Sequence, residues 1–145
     1  MRDLPRQLSP GELAELFEGR TRFVARLAEL DNPLGEARRV ARELPEEERI
    51  EVLAAHPAIG ASGLSPSSAR EQGTEEDPAV LAQLAELNRA YEEKFGFRFV
   101  VFVNRRPRSA LVPILRERLE RSRVEELETA LDELVAIAED RWRRG

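Results

Sequence analysis

Residues 97–103, Phe97-Arg98-Phe99-Val100-Val101-Phe102-Val103, are the one run in this chain rich enough in aromatic and β-branched residues to read as a β-strand. A lone strand has no neighbour to satisfy its backbone amides and carbonyls in a sheet. The run therefore reads as a buried extended segment or as a strained start to the helix that follows. Immediately upstream, residues 78–94 carry Val80, Leu81, Leu84, Leu87, Ala90 and Tyr91 at helical spacing. Asp77-Pro78 opens that helix and Gly96 closes it, because glycine accepts the left-handed conformation that ends a helix. Downstream, residues 108–121 and 124–144 read as two further helices. The last one points Leu127, Leu131, Leu134, Val135, Ala138 and Trp142 to one side.

The N-terminal half has the same character. Ser9-Pro10-Gly11-Glu12 places an N-cap serine three residues before a glutamate, with proline in the first turn. Leu13, Leu16 and Phe17 then share a face. A second amphipathic stretch covers residues 21–30 and is broken by Asp31-Asn32-Pro33. A third covers residues 34–44. Pro45 followed by three glutamates starts a fourth, since acidic groups there oppose the positive end of the helix. It stops at His56-Pro57, because a residue before proline avoids the α conformation. Residues 58–77 are rich in Gly and Ser and read as a loop with one short helical turn near residues 65–72. The sum is an all-α fold, a single compact domain of about seven or eight helices over residues 1–145. There is no βαβ alternation, no Gly-rich phosphate loop and no nucleophile elbow.

Composition narrows the chemistry. The chain has 145 residues, enough for one domain. Mean hydropathy is −0.48 and no apolar run approaches the ~18 residues needed to span a bilayer. The first ten residues contain no apolar core of a secretory signal, so a cytoplasmic location is expected. Cysteine is absent, which excludes disulfides, thiol nucleophiles and thiolate-bound metals. One histidine excludes a multi-histidine metal site and leaves a carboxylate-rich one open. With 28 acidic residues against 23 basic ones, a general nucleic-acid binder is disfavoured.

Chemistry must then come from His, carboxylates, hydroxyls, amides and Arg. His56 is the side chain that titrates nearest neutrality. It stands at a helix end beside the Gly-rich loop, where it either faces a cleft or serves as a capping histidine. If residues 65–72 turn helically, Ser68, Glu71 and Gln72 converge on one face. The same spacing also makes a plain capping box. Asn88 and Tyr91 read as polar groups that bond within the core. Arg105, Arg106 and Arg108 read as a solvated loop. Arg141 lies on the last helix.

In combination these segments carry more. His56-Pro57 with Ile59-Gly60, then Ser68-x-x-Glu71-Gln72, then Asn88-x-x-Tyr91 with Lys94-Phe95-Gly96-Phe97-x-Phe99 resembles, in order and spacing, the 2-oxo-4-hydroxy-4-carboxy-5-ureidoimidazoline (OHCU) decarboxylases. The resemblance runs from about Leu8 to Trp142. It implies an all-helical, homodimeric carboxy-lyase of urate breakdown. Such an enzyme converts OHCU, its small-molecule substrate, to (S)-allantoin and carbon dioxide without cofactor or metal. Carried over residue by residue, His56 matches the catalytic general acid/base. Glu71 joins it as the second catalytic residue, orienting the imidazole or contacting the substrate hydroxyl. Pro57, Ser68 and Gln72 match substrate-binding positions. Phe99, Val100, Val101, Phe102 and Val103 match the segment whose backbone holds the substrate ring. Arg141 matches an arginine of the terminal helix that reaches the ligand.

The chain departs from the family pattern at the rim. Gly19-Arg20-Thr21-Arg22-Phe23 stands where Ser-Pro-Trp is common, Ala58 follows His-Pro, and Gly73-Thr74-Glu75-Glu76-Asp77 replaces a small apolar run. Two other readings stay beside the decarboxylase. One is a non-catalytic helical interaction module on the same fold. The other is a decarboxylase acting on a related ureido or cyclic amide acid.

Overall fold

A computed structural model describes residues 7–56, 77–104 and 106–144. Among these residues there are seven α-helices, one 3-10 turn and no strand: α1 (Pro10–Phe17), α2 (Arg22–Leu27), α3 (Pro33–Glu43), α4 (Glu46–Ala55), α5 (Pro78–Phe95), the 3-10 turn Arg108–Ala110, α6 (Leu111–Leu119) and α7 (Arg123–Arg144). The helix starts follow from local chemistry. The Ser9 hydroxyl accepts from the Glu12 amide while the Glu12 carboxylate accepts from the Ser9 amide, both at 3.1 Å. Thr21, Asn32 and Asp77 likewise accept from amides in the first turns of α2, α3 and α5. Each such cap is worth about 1 kcal/mol. Gly96 closes α5 at φ 80°. The stretch from residue 108 begins with the 3-10 turn before becoming α-helical, and α2 is shorter than its amphipathic pattern.

α7 is the axis of the molecule. Its buried positions, Glu126, Leu127, Ala130, Leu131, Leu134, Val135, Ile137, Ala138 and Arg141, cover more than a single stripe. A helix buried that broadly must have neighbours on several sides, and α1, α3 and α4 all pack on it. α2 fits among α1, α3 and α4, and α5 packs along α6. Two aromatic groups fill the core. Phe17 and Phe23 meet edge to face at 5.2 Å. Tyr91 gathers Phe95, Phe97 and Phe99 around it at 4.6, 5.9 and 5.2 Å.

Residues 97–103 form the buried extended segment, not the start of a helix. Arginines do for it what a neighbouring strand would do. Arg118 Nη1 donates to the Val100 carbonyl at 2.8 Å. Arg106 donates to the carbonyls of Phe102 (2.6 Å) and Val103 (2.9 Å). The Phe102 amide donates to Glu133 at 3.4 Å. Arg106 thus has a bonding role in place of the solvated one expected for its cluster, and Arg105 lies outside the described residues.

Beneath this segment sits the one fully buried carboxylate among the described residues. Glu126, 0% exposed, accepts on Oε1 from the Tyr91 hydroxyl (2.6 Å) and Arg118 Nε (2.7 Å), and on Oε2 from Arg121 Nη1 (3.0 Å). The Arg118 guanidinium lies 4.7 Å from the centre of the Phe99 ring. Burial, with the Glu126 carboxylate adding to it, pushes the Tyr91 phenol well above its ordinary range, so it remains a proton donor.

An unpaired buried charge is far costlier than a lost neutral hydrogen bond. Glu126→Ala strands the Arg118 cation and is expected to cost about 3–5 kcal/mol. Tyr91→Phe removes one donor of three and is expected to cost about 1–3 kcal/mol. Urea unfolding at neutral pH checks both the sizes and their order.

Candidate active site

The C-terminal end of α4 presents the histidine. His56 is the C-cap, at φ −84° and ψ 135°, the extended conformation its place before a proline requires. Its amide donates to the Leu53 carbonyl at 3.2 Å. Its own carbonyl accepts from Arg98 Nη1 at 2.6 Å, and the same nitrogen reaches the Ala54 carbonyl at 3.2 Å. Arg98 is the single charged residue of the 97–103 segment, so this contact ties that segment to the helix end carrying the imidazole.

The imidazole is buried, and its Nδ1 has no hydrogen-bond partner among the described residues. Such an orphaned polar atom calls for an explanation, and a reactive group is one. The pKa is lowered from 6.5 to about 4, and burial is the largest cause. Within that shift the Arg141 cation also lowers it, Glu18 opposes, and Arg98 contributes a smaller lowering. The ring is therefore neutral at pH 7.

Arg141, near the end of α7, is itself buried. Its Nη2 pairs with Glu18 Oε1 at 2.9 Å and its Nη1 donates to the Leu16 carbonyl at 3.0 Å. Two of the sequence-derived site residues, His56 and Arg141, thus sit close enough for the charge of one to act on the other. The 97–103 segment joins them through Arg98. Within it, Phe99 packs into the core against Tyr91 and Arg118. The carbonyls of Val100, Phe102 and Val103 and the amide of Phe102 are taken up by side chains. The amides of Val100, Val101 and Val103 have no hydrogen-bond partner among the described residues. Pro57, Ser68, Glu71 and Gln72 lie outside the described residues.

Glu18 and Arg98 were not singled out from sequence. Arg98 left a trace, as a lone charge in an apolar run. Glu18 left a fainter one, as a helix-ending residue directly before a glycine. Arg98 also lines an open pocket of about 250 Å³ with Ile50, Ala54, Glu92, Gly96 and Phe97, and the imidazole is not part of its wall. Among the described residues no cluster of three or more His, Asp or Glu is placed to hold a metal ion. No helix among them is long and apolar enough to cross a membrane.

The family model for OHCU decarboxylase matches residues 8–143. The chain belongs to the OHCU decarboxylase family.

Relatives of this OHCU decarboxylase family chain include the 2-oxo-4-hydroxy-4-carboxy-5-ureidoimidazoline decarboxylase of Haloferax volcanii, 32% identical over 70% of this chain and 64% of that one. The protein of the same name from Halalkalicoccus jeotgali is 29% identical over 67% and 58%. The uric acid degradation bifunctional protein TTL of Arabidopsis thaliana is 33% identical over 66% of this chain and 32% of its own length. The chain therefore spans less than two thirds of the curated relatives it matches. A crystal structure of OHCU decarboxylase in the presence of (S)-allantoin superposes with a TM-score of 0.75 at 25% identity, over 90% of this chain and 94% of the other. A crystal structure of (S)-allantoin synthase shares the fold at a TM-score of 0.67 and 20% identity, over 91% and 47%.

The neutral imidazole makes a stability prediction with a definite sign. The folded-state pKa of His56, about 4, lies below its ordinary 6.5. Between those values the unfolded chain binds a proton that the folded chain does not, so stability rises with pH across that window. It is fully present above 6.5 and is lost as pH falls toward 4. The slope is at most about 1.4 kcal/mol per pH unit, about 3 kcal/mol in all. His56→Gln should flatten this part of the profile, as read from unfolding midpoints across the window.

Proposed function

We propose that this protein is a cofactor-independent OHCU decarboxylase, a carboxy-lyase that forms (S)-allantoin and carbon dioxide in urate breakdown. The observation that carries the proposal is a buried, neutral imidazole at the end of α4 with the Arg141 cation acting on it, in a chain of this family. The family's structure determined in the presence of (S)-allantoin, matched over nearly its whole length, supports the same substrate class. The resemblance also carries a homodimer working in the cytoplasm, and the acidic balance of the chain fits a small-molecule substrate better than a nucleic acid.

The chemistry follows from what decarboxylation requires. When the bond to the carboxylate carbon breaks, carbon dioxide leaves and an electron pair stays on the ring carbon. That pair passes into the adjacent C=N or C=O, giving an enolate-like intermediate. Fixed donors aimed at the developing charge lower the barrier. Arg141, Gln72 and the amides of Val100, Val101 and Val103 are the donors proposed here. The intermediate then takes one proton on one face, which sets the configuration of allantoin. A neutral His56 enters as a base: it accepts the proton of the substrate hydroxyl and, as imidazolium, is then an acid able to return it. Glu71 orients the ring or contacts that hydroxyl. Pro57 and Ser68 complete the binding surface, and the aromatic side of Phe99 and Phe102 backs the segment.

Freshly generated OHCU decays unaided to racemic allantoin, so optical activity isolates the catalysed route. Purified protein should accelerate formation of (S)-allantoin in excess over its mirror image, and His56→Ala should lower kcat by about 10²–10⁴-fold. Equal rates for the two proteins, or racemic product from the wild type, overturn the assignment. A panel of related ureido acids assayed alongside reveals whether the altered rim has changed the substrate.

A further inference from the structure

Glu18 sits where a helix prefers something else. It is the C-cap of α1 in the left-handed region, φ 66° and ψ 20°, a conformation that suits glycine and strains other residues. Gly19 follows immediately, so the chain has a glycine at hand yet places the glutamate at the strained position. The strain is offset by what the side chain reaches. Its Oε1 holds Arg141 Nη2 at 2.9 Å, while the other arm of the guanidinium is bonded to the Leu16 carbonyl two residues earlier. The end of α1 thus grips both arms of Arg141.

The same turn lies against the histidine-bearing helix end. A Cβ placed on Gly19 would stand 3.3 Å from that of Ala55, the residue before His56. A side chain at residue 19 would press on Ala55 and, through it, on the helix end that carries His56. Three charged groups among the described residues act on the ring: Arg141 from α7, Glu18 from the end of α1, and Arg98 from the extended segment.

We propose that Glu18 is a positioning residue: its carboxylate fixes the Arg141 guanidinium beside the His56 imidazole and offsets that cation's charge at the ring. This rests on the reading of His56 and Arg141 as groups that meet the substrate. A purely structural ion pair would neutralise Arg141 and nothing more. A positioning residue also sets how Arg141 meets the transition state and how readily the ring takes a proton. Misplacing such a group by about 1 Å is sufficient to lose roughly 100-fold in rate.

The test uses Glu18→Gln, which keeps size and an acceptor oxygen but removes the charge, with Glu18→Asp as a second variant should the first fail to fold. Two readouts are taken. The first is OHCU decarboxylation, where Glu18→Gln should lose about 10- to 100-fold, chiefly in kcat. The second is the proton NMR titration of the imidazole, unambiguous because His56 is the only histidine. Its midpoint should move down in Glu18→Gln and up in Arg141→Gln. Glu18→Asp, which keeps the charge and loses reach, should leave the midpoint near that of the wild type while still lowering kcat. Wild-type kcat in Glu18→Gln, or an unmoved midpoint in both Gln variants, overturns the proposal. If the wild type itself does not decarboxylate OHCU, the functional assignment fails separately, and the titration alone decides whether Glu18 and Arg141 act on the ring.

Discussion

The buried carboxylate of Glu126 is the interaction on which the rest of the molecule depends. A charge removed from water is tolerated only when its lone pairs are matched by donors in good geometry. Here the donors come from different parts of the chain: Tyr91 on α5, Arg118 on α6, and Arg121 just after it. Satisfying one oxygen pair therefore fixes the relative placement of α5, α6 and α7. Because Arg118 also holds the Val100 carbonyl, the same carboxylate determines where the extended segment runs.

From there the constraint passes to the reactive end of α4. The extended segment, kept in place by Arg118 and Arg106, carries Arg98, and Arg98 grips the His56 carbonyl. Fixing the backbone of a histidine fixes the direction in which its ring can point. Arg141 arrives from the other side, on α7, and is held by the end of α1. The ring and the guanidinium are thus each braced by elements other than their own. Arginines make most of these links. Their planar forks can serve two acceptors at once, which lysine cannot do with fixed geometry.

The parts of this arrangement that were legible in the sequence are those with local causes. Ser9 and Asp77 announce helix starts because a short oxygen-bearing side chain satisfies an amide two or three residues away, and Asn32, legible only as a break, caps α3 in the same way. Gly96 announces an end, and 97–103 announces an extended run. His56 was readable because a helix stop and a proline coincide there. Glu126 was not. It lies in the acidic first turn of α7, beside Glu125, and looks like an exposed residue opposing the helix dipole. One of its partners, Tyr91, is 35 positions away, and no local pattern encodes that distance. Glu18 was hidden for the same reason, since Arg141 lies at the far end of the chain. Arg106 misled because a cluster of cations looks solvated until carbonyls without strand partners are found beside it.

One helix spans both anchoring points. Glu126 and Arg141 are separated by fifteen positions of α7, a rise of about 22 Å. The helix therefore acts as a ruler between the buried carboxylate and the guanidinium. Insertion or deletion of a single residue between them would turn Arg141 through about 100° and swing it off the face it shares with α1. Loops elsewhere in the chain can lengthen or shorten with little effect on that alignment, whereas the length of this helix is fixed by the two groups it keeps in phase.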